Sequence, residues 1–165
     1  MGNLKKYNTT TIKYIQEDGS RDMELIIPYN QEIVNIDGRY ILRDKIPQYP
    51  KTYEECCEII HSDPKFYVDT HLYSGTLETL YKLLICRYAY WKIAGEQMGL
   101  DKPWEPDWST ESENETYFTI AYDGINIKLY NNTDVYAKFV FPTAEMRDEF
   151  YENFKELIEE CKELL

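Results

Sequence analysis

Cys57 and His61 stand four residues apart in the run Thr52-Tyr53-Glu54-Glu55-Cys56-Cys57-Glu58-Ile59-Ile60-His61. On a helix that spacing puts a thiol and an imidazole on one face. The pair could supply two of the four ligands a zinc ion needs, with Asp69 and His71 the nearest further donors. It could also set a thiol nucleophile beside its base. The plainer reading is a buried small thiol and a helix-end histidine whose charged form suits the C-terminal dipole, and no metal or catalytic residue is assigned. Cys56 and Cys57 are adjacent, which makes a poor disulfide and no CxxC zinc motif. With 30 Asp and Glu in the chain, carboxylate pairs carry no information. Glycosidase chemistry needs two acids across one cleft, and nothing nominates them. The sequence has no Gly-rich phosphate loop, Walker lysine or nucleophile elbow. It therefore reads as a non-enzyme, with no cofactor expected.

Aromatic and acidic residues offer binding instead of catalysis. Trp104-Glu105-Pro106-Asp107-Trp108 places two of the three tryptophans on one short linker, around a proline that fixes the backbone. These rings either clamp the linker to the core or stack on a ligand. The 16 tyrosines are a second excess. Tyr117 and Tyr130 are expected as cross-strand partners on a solvent face, where tyrosine gives large contact area with a polar tip. β-propensity alone also favours tyrosine. The net charge of -12 opposes binding to nucleic acid or an anionic membrane and favours a partner with a basic surface. Much of it lies on Glu149, Glu152, Glu156, Glu159, Glu160 and Glu163, with Glu152, Glu156 and Glu159 the residues expected to meet that partner. The alternative is a solvated acidic face.

The elements that must position these residues give an α+β chain. Residues 1–45 form an N-terminal β region and residues 46–165 an α+β core, together expected as one compact domain. Thr11 to Ile15 and Met23 to Ile27 are strands about a turn at Glu17 to Ser20. Ile33 to Ile36 and Arg39 to Leu42 flank Asp37-Gly38, a type I′ hairpin signal that pairs Val34 with Ile41 and Ile36 with Arg39. Thr52 and Glu55 form a capping box, in which the Glu55 carboxylate returns to the Thr52 amide, on a short helix to about His61. Thr76 caps a central helix ending near Met98, with Gly99 and Leu100 set for a Schellman ending. A three-stranded antiparallel meander follows, over Thr116 to Tyr122, Ile125 to Tyr130 and Val135 to Phe141. A two-residue turn at Asp123-Gly124 sets Ile120 opposite Ile127 and Phe118 opposite Leu129. Val135, Ala137 and Phe139 join that apolar face. Thr143 caps an amphipathic C-terminal helix whose stripe, Met146, Phe150, Phe154, Leu157, Ile158, Cys161 and Leu165, covers the sheet.

No apolar run opens the chain and none reaches membrane-spanning length, so a cytoplasmic protein with reduced thiols is expected. Pro50-Lys51-Thr52-Tyr53-Glu54-Glu55, Trp104-Glu105-Pro106-Asp107-Trp108 and the run from Phe141 to Phe154 resemble a group of small uncharacterised proteins. Phages, prophages and mobile elements of anaerobic gut bacteria encode that group. The resemblance covers roughly residues 46 to 165 and carries no activity or catalytic residue. It implies a protein acting in a bacterial host cytoplasm. The expectation is a counter-defence inhibitor, anti-CRISPR-like, that binds a basic host protein, such as a nucleic-acid-binding defence complex. One alternative is a nucleotide-signal sponge stacking its ligand on Tyr and Trp rings, with Arg39, Arg87 or Lys92 on the phosphates. Another is a minor virion component.

Overall fold

The computed structural model of the chain describes residues 7–16, 19–28, 30–64, 75–107, 116–132 and 138–165. The chain divides into two compact units, Met1–Pro47 with Gly95–Lys102, and Gln48–Ala94 with Pro103–Leu165.

In the first unit, β-branched residues and turn chemistry make two antiparallel hairpins. β1 (Tyr7–Gln16) pairs with β2 (Gly19–Pro28), and β3 (Gln31–Ile36) pairs with β4 (Arg39–Asp44). All four strands run longer than the apolar patterning delimits. The register of the second hairpin follows its turn: Asp37 and Gly38 both have positive φ, at 50° and 78°, as a type I′ turn requires. Val34 therefore meets Ile41 and Ile36 meets Arg39. The Asn35 Oδ1 atom also accepts the Gly38 N–H at 3.0 Å. The end of the central helix belongs to this unit too. Gly99 has φ 68°, and N–H groups of Gly99 and Leu100 reach the carbonyls of Glu96 and Gly95, the two bonds of a Schellman motif.

The second unit holds α1 (Tyr53–Ile60), most of α2 (Gly75–Gln97), β5 (Tyr117–Tyr122), β6 (Ile127–Asn132), β7 (Phe139–Phe141) and α3 (Ala144–Glu160), which runs on into a 3₁₀ turn at Lys162–Leu164. Thr52 caps α1 by accepting the Glu55 N–H at 3.2 Å. The returning carboxylate overshoots the expected box, because Glu55 Oε2 accepts from the Lys51 amide at 2.6 Å. α2 starts at Gly75, so Thr76 lies inside its first turn and is not its cap.

The sheet departs from a meander. Its order is β6-β5-β7, with β5 in the centre. The strand buried on both faces takes the middle: Tyr117, Thr119 and Ile120 of β5 are all buried, whereas Lys128, Leu129 and Tyr130 of β6 are exposed and suit an edge. Phe118 then pairs with Phe141 and Ile120 with Phe139. The expected third strand shortens to Phe139–Phe141, and Val135 and Ala137 lie outside the described residues.

The β5–β6 register is also two residues from the expected one, with Ile120 opposite Leu129 and Tyr122 opposite Ile127. Asp123 causes this. Its carboxylate accepts the N–H groups of Ile125 and Asn126 at 2.9 and 2.7 Å, closing a four-residue loop where a two-residue turn was expected. Because the slip is even, every side chain keeps its face.

α3 lies on β5, β6 and β7. Met146, Phe150, Phe154, Ile158 and Cys161 of its stripe are buried, with Leu157 and Leu165 partly buried against the same cluster. Thr143 caps it, accepting the Met146 N–H at 3.1 Å. Thr143→Ala is expected to lower stability by about 1 kcal/mol, the usual value of a lost N-cap. A urea titration checks this, and Thr143→Ser should recover most of the loss.

Candidate binding groove

α3 is not a straight rod. Phe154 has φ -121° and ψ 20°, outside the helical region, so the helix kinks there. The kink faces the start of α1, and between them is a groove of about 470 Å³. Lys51, Thr52 and Tyr53 form one wall, and residues 152–157 form the other. Tyr90 of α2 joins the two walls from behind. Its hydroxyl donates to the Pro50 carbonyl at 3.0 Å and accepts from Asn153 Nδ2 at 3.0 Å. Burial pushes its phenol pKa well above the usual value, so it stays protonated and keeps both bonds.

Glu152 and Glu156 line this groove on successive turns of α3. Glu159 is exposed on the same helix, beyond the lining residues. Among the described residues neither Glu152 nor Glu156 is held in an ion pair, whereas Glu159 meets Lys162 at 3.2 Å. The groove also holds two cations: Lys51, and Lys155, whose ammonium lies 5.5 Å from the Tyr151 ring centre. The arrangement can offer paired acceptors to a cationic side chain.

The aromatic candidates separate. Tyr117 is a correction: it is 3% exposed, not on a solvent face. The back of β5 is covered by Trp104, whose ring lies 6.2 Å from that of Tyr117, and the Tyr117 hydroxyl accepts the Asp107 N–H at 3.3 Å. Tyr130 is 43% exposed, as expected, but pairs with Thr119 and not with Tyr117. Trp104 is half-buried, edge-on to Trp91 at 5.8 Å, and its N–H bonds to the Trp91 carbonyl at 2.9 Å. Trp91 in turn donates Nε1–H to the Val140 carbonyl at 2.7 Å. Trp104 thus sits in a structural clamp. Trp108 lies outside the described residues.

Two of the three phosphate-binding candidates, Arg87 and Lys92, are engaged in the fold. Arg87 donates to the Lys138 carbonyl, with its guanidinium 4.2 Å from the Trp91 ring centre, and burial lowers its pKa. Lys92 donates to the Ile59 carbonyl at 2.6 Å, completing the C-terminal end of α1. Arg39 is exposed on β4.

Cys57 is buried and hydrogen-bonded to Tyr53, and burial raises its thiol pKa, against the trend a nucleophile needs. His61 is exposed at the left-handed C-cap of α1, with φ 56°. Asp69 and His71 lie outside the described residues. Among the described residues no group of three or more His, Cys, Asp or Glu is placed to hold a metal. Cys56 hydrogen-bonds with Cys86, whose pKa is raised, and burial pushes Cys161 up to about 11.

Three positioning residues escaped the sequence reading. Tyr90 and Asn153 had no signal that set them apart. Arg147 did have one, since it precedes Phe150 by three positions and so borders the apolar stripe. It is buried, donates to the Tyr130 carbonyl at 3.0 Å and to Asn131 Oδ1 at 2.9 Å, and pairs with Asp148 at 2.7 Å, fastening α3 to β6.

No helix of the described residues is long and apolar enough to cross a membrane. The chain matches no family model, no curated protein and no solved structure.

Proposed function

We propose that the chain is a non-catalytic binding protein that captures a protein partner with a basic surface, using the exposed glutamates of α3. The observation that carries this reading is the placement of Glu152 and Glu156, both exposed, one turn apart, on the wall of the groove at the α3 kink. An arginine or lysine of the partner entering that groove would meet two carboxylates. The resemblance to phage and mobile-element proteins supports a counter-defence role, in which the partner is a nucleic-acid-binding host defence complex and the acidic helix competes for its basic surface. The stacking-ligand reading has less support, since Trp104, Arg87 and Lys92 are already occupied by contacts within the fold.

The test is affinity capture of the partner from bacterial host lysate, followed by titration of the purified pair. Reversing Glu152, Glu156 and Glu159 to lysine is expected to weaken binding by tenfold or more at low salt, roughly 1.4 kcal/mol or more. The wild-type affinity should itself fall as salt rises. Equal binding by the wild type and the triple variant at low salt would remove the acidic surface from the mechanism.

A further inference from the structure

Asn153 lines the groove between Glu152 and the kink at Phe154, and its amide is not free to turn. The Tyr90 hydroxyl behind it is buried, with a single proton that goes to the Pro50 carbonyl at 3.0 Å, a group that can only accept. The hydroxyl oxygen must then accept from Asn153, so Nδ2 is the amide atom turned inward, at 3.0 Å. Among the described residues Oδ1 meets no donor, and it is left to the groove. The exposed carboxylates of Glu152 and Glu156 flank it along the same wall. The α3 wall thus presents three acceptor groups within about one helical turn. Lys155 on that wall lies 5.5 Å from the Tyr151 ring centre. Tyr53 on the facing wall and Leu157 beside Glu156 are half-buried and give apolar surface to the stem of a long side chain. The α1 wall suits a cation less. It has Lys51 and a helix N-terminus, and the Glu55 carboxylate is closed onto the Lys51 amide.

We propose that the cation this groove takes is an arginine of the partner, in preference to a lysine. This rests on capture of a basic partner by α3 and names the chemistry of the group captured. An ammonium is a compact, strongly hydrated point charge, and two carboxylates attract it with little demand on direction. A guanidinium is planar, gives up its water more readily and carries five N–H donors in a fixed fork. Against α3, one edge of the fork can bond a carboxylate at two points. The remaining N–H groups can then reach the second carboxylate and Asn153 Oδ1. The amide oxygen is what separates the two cations. It attracts a point charge less than a carboxylate does, but it offers a directed acceptor to an N–H that the carboxylates leave over. Tyr90 is a positioning residue in this arrangement, because it acts on the partner only by holding Asn153 in one orientation.

The probes are acetylated and amidated Gly-X-Gly tripeptides with one positive charge each. X is arginine, lysine or symmetrically dimethylated arginine, which keeps the charge but blocks bidentate bonding. Titration into the native chain, followed by amide NMR, is expected to shift the signals of residues 51–53 and 152–157. The arginine probe should bind at least about fivefold tighter than either of the others. Tyr90→Phe removes the hydroxyl that orients Asn153. Below its melting temperature that variant should lose most of the preference for arginine while its affinity for the lysine probe stays within about twofold. A general loosening of the groove would weaken both probes alike. Equal affinity of the native chain for the arginine and lysine probes overturns the proposal and leaves capture by α3 standing. Shifts by neither probe at the groove, or arginine shifts confined to other residues, overturn the proposal and the groove as a capture site together. Both outcomes are read on the unmodified chain, so a variant that fails to fold does not alter them.

Discussion

Phe150→Ala is expected to destabilise the unit formed by Gln48–Ala94 and Pro103–Leu165 by about 3–5 kcal/mol, the range for a buried phenylalanine truncated to alanine. Phe150 is fully buried, and four rings converge on it. Phe141 and Phe154 lie 4.9 Å from it, Tyr90 5.0 Å edge-on, and Phe139 5.9 Å. These neighbours come from the sheet, from α2 and from α3 itself, so the void has no flexible side to collapse from. The loss should also reach the groove, because Tyr90 packs on Phe150 and holds Pro50 and Asn153. Phe150→Leu keeps most of the volume and should cost well under half as much. Chemical denaturation of the three proteins decides it. A loss below about 1 kcal/mol for Phe150→Ala would mean that the core does not close around this ring.

Trp104→Ala is expected to cost about 2–4 kcal/mol, somewhat less than a fully buried ring because Trp104 is half-buried. The ring bridges Trp91 on α2 and Tyr117 on β5, and the Trp104 N–H is bonded to the Trp91 carbonyl. Its removal therefore loosens the back of the central strand as well as the linker. Trp104→Phe should recover part of the loss. Binding measured below the new melting temperature separates the two roles that the Trp104 to Trp108 segment suggests. A clamp gives lower stability with affinity retained, and a ligand-stacking surface gives the reverse.

Much of the local structure is legible in the sequence. The Asp37-Gly38 turn requires two positive φ values, and this fixes the pairing of Val34 with Ile41 with no help from the rest of the chain. Gly99 ends α2 because it can take φ 68° at little cost. Thr52 and Thr143 cap their helices through bonds three residues away. The α3 stripe is readable because its period is that of the helix, and the same period puts its glutamates in solvent. Even where the β5–β6 turn differs by two residues, the apolar face survives, since strand side chains alternate with period two.

The candidate groove and the sheet order belong to the tertiary structure. Patterning shows that β5, β6 and β7 exist but not which is central; that depends on which strand is covered on both faces, and the covering residues are far away in sequence. Tyr117 illustrates the point. Its place in the alternation suggests solvent, and Trp104, thirteen positions earlier, buries it. Tyr90 and Asn153 are 63 residues apart and acquire their roles only when α2 and α3 meet. Composition sets the acidity of the chain and the helical period sets the row of glutamates along α3. Whether any of them lines a groove is decided by the kink at Phe154 and by the docking of α1 beside it, long-range contacts that no spacing rule encodes.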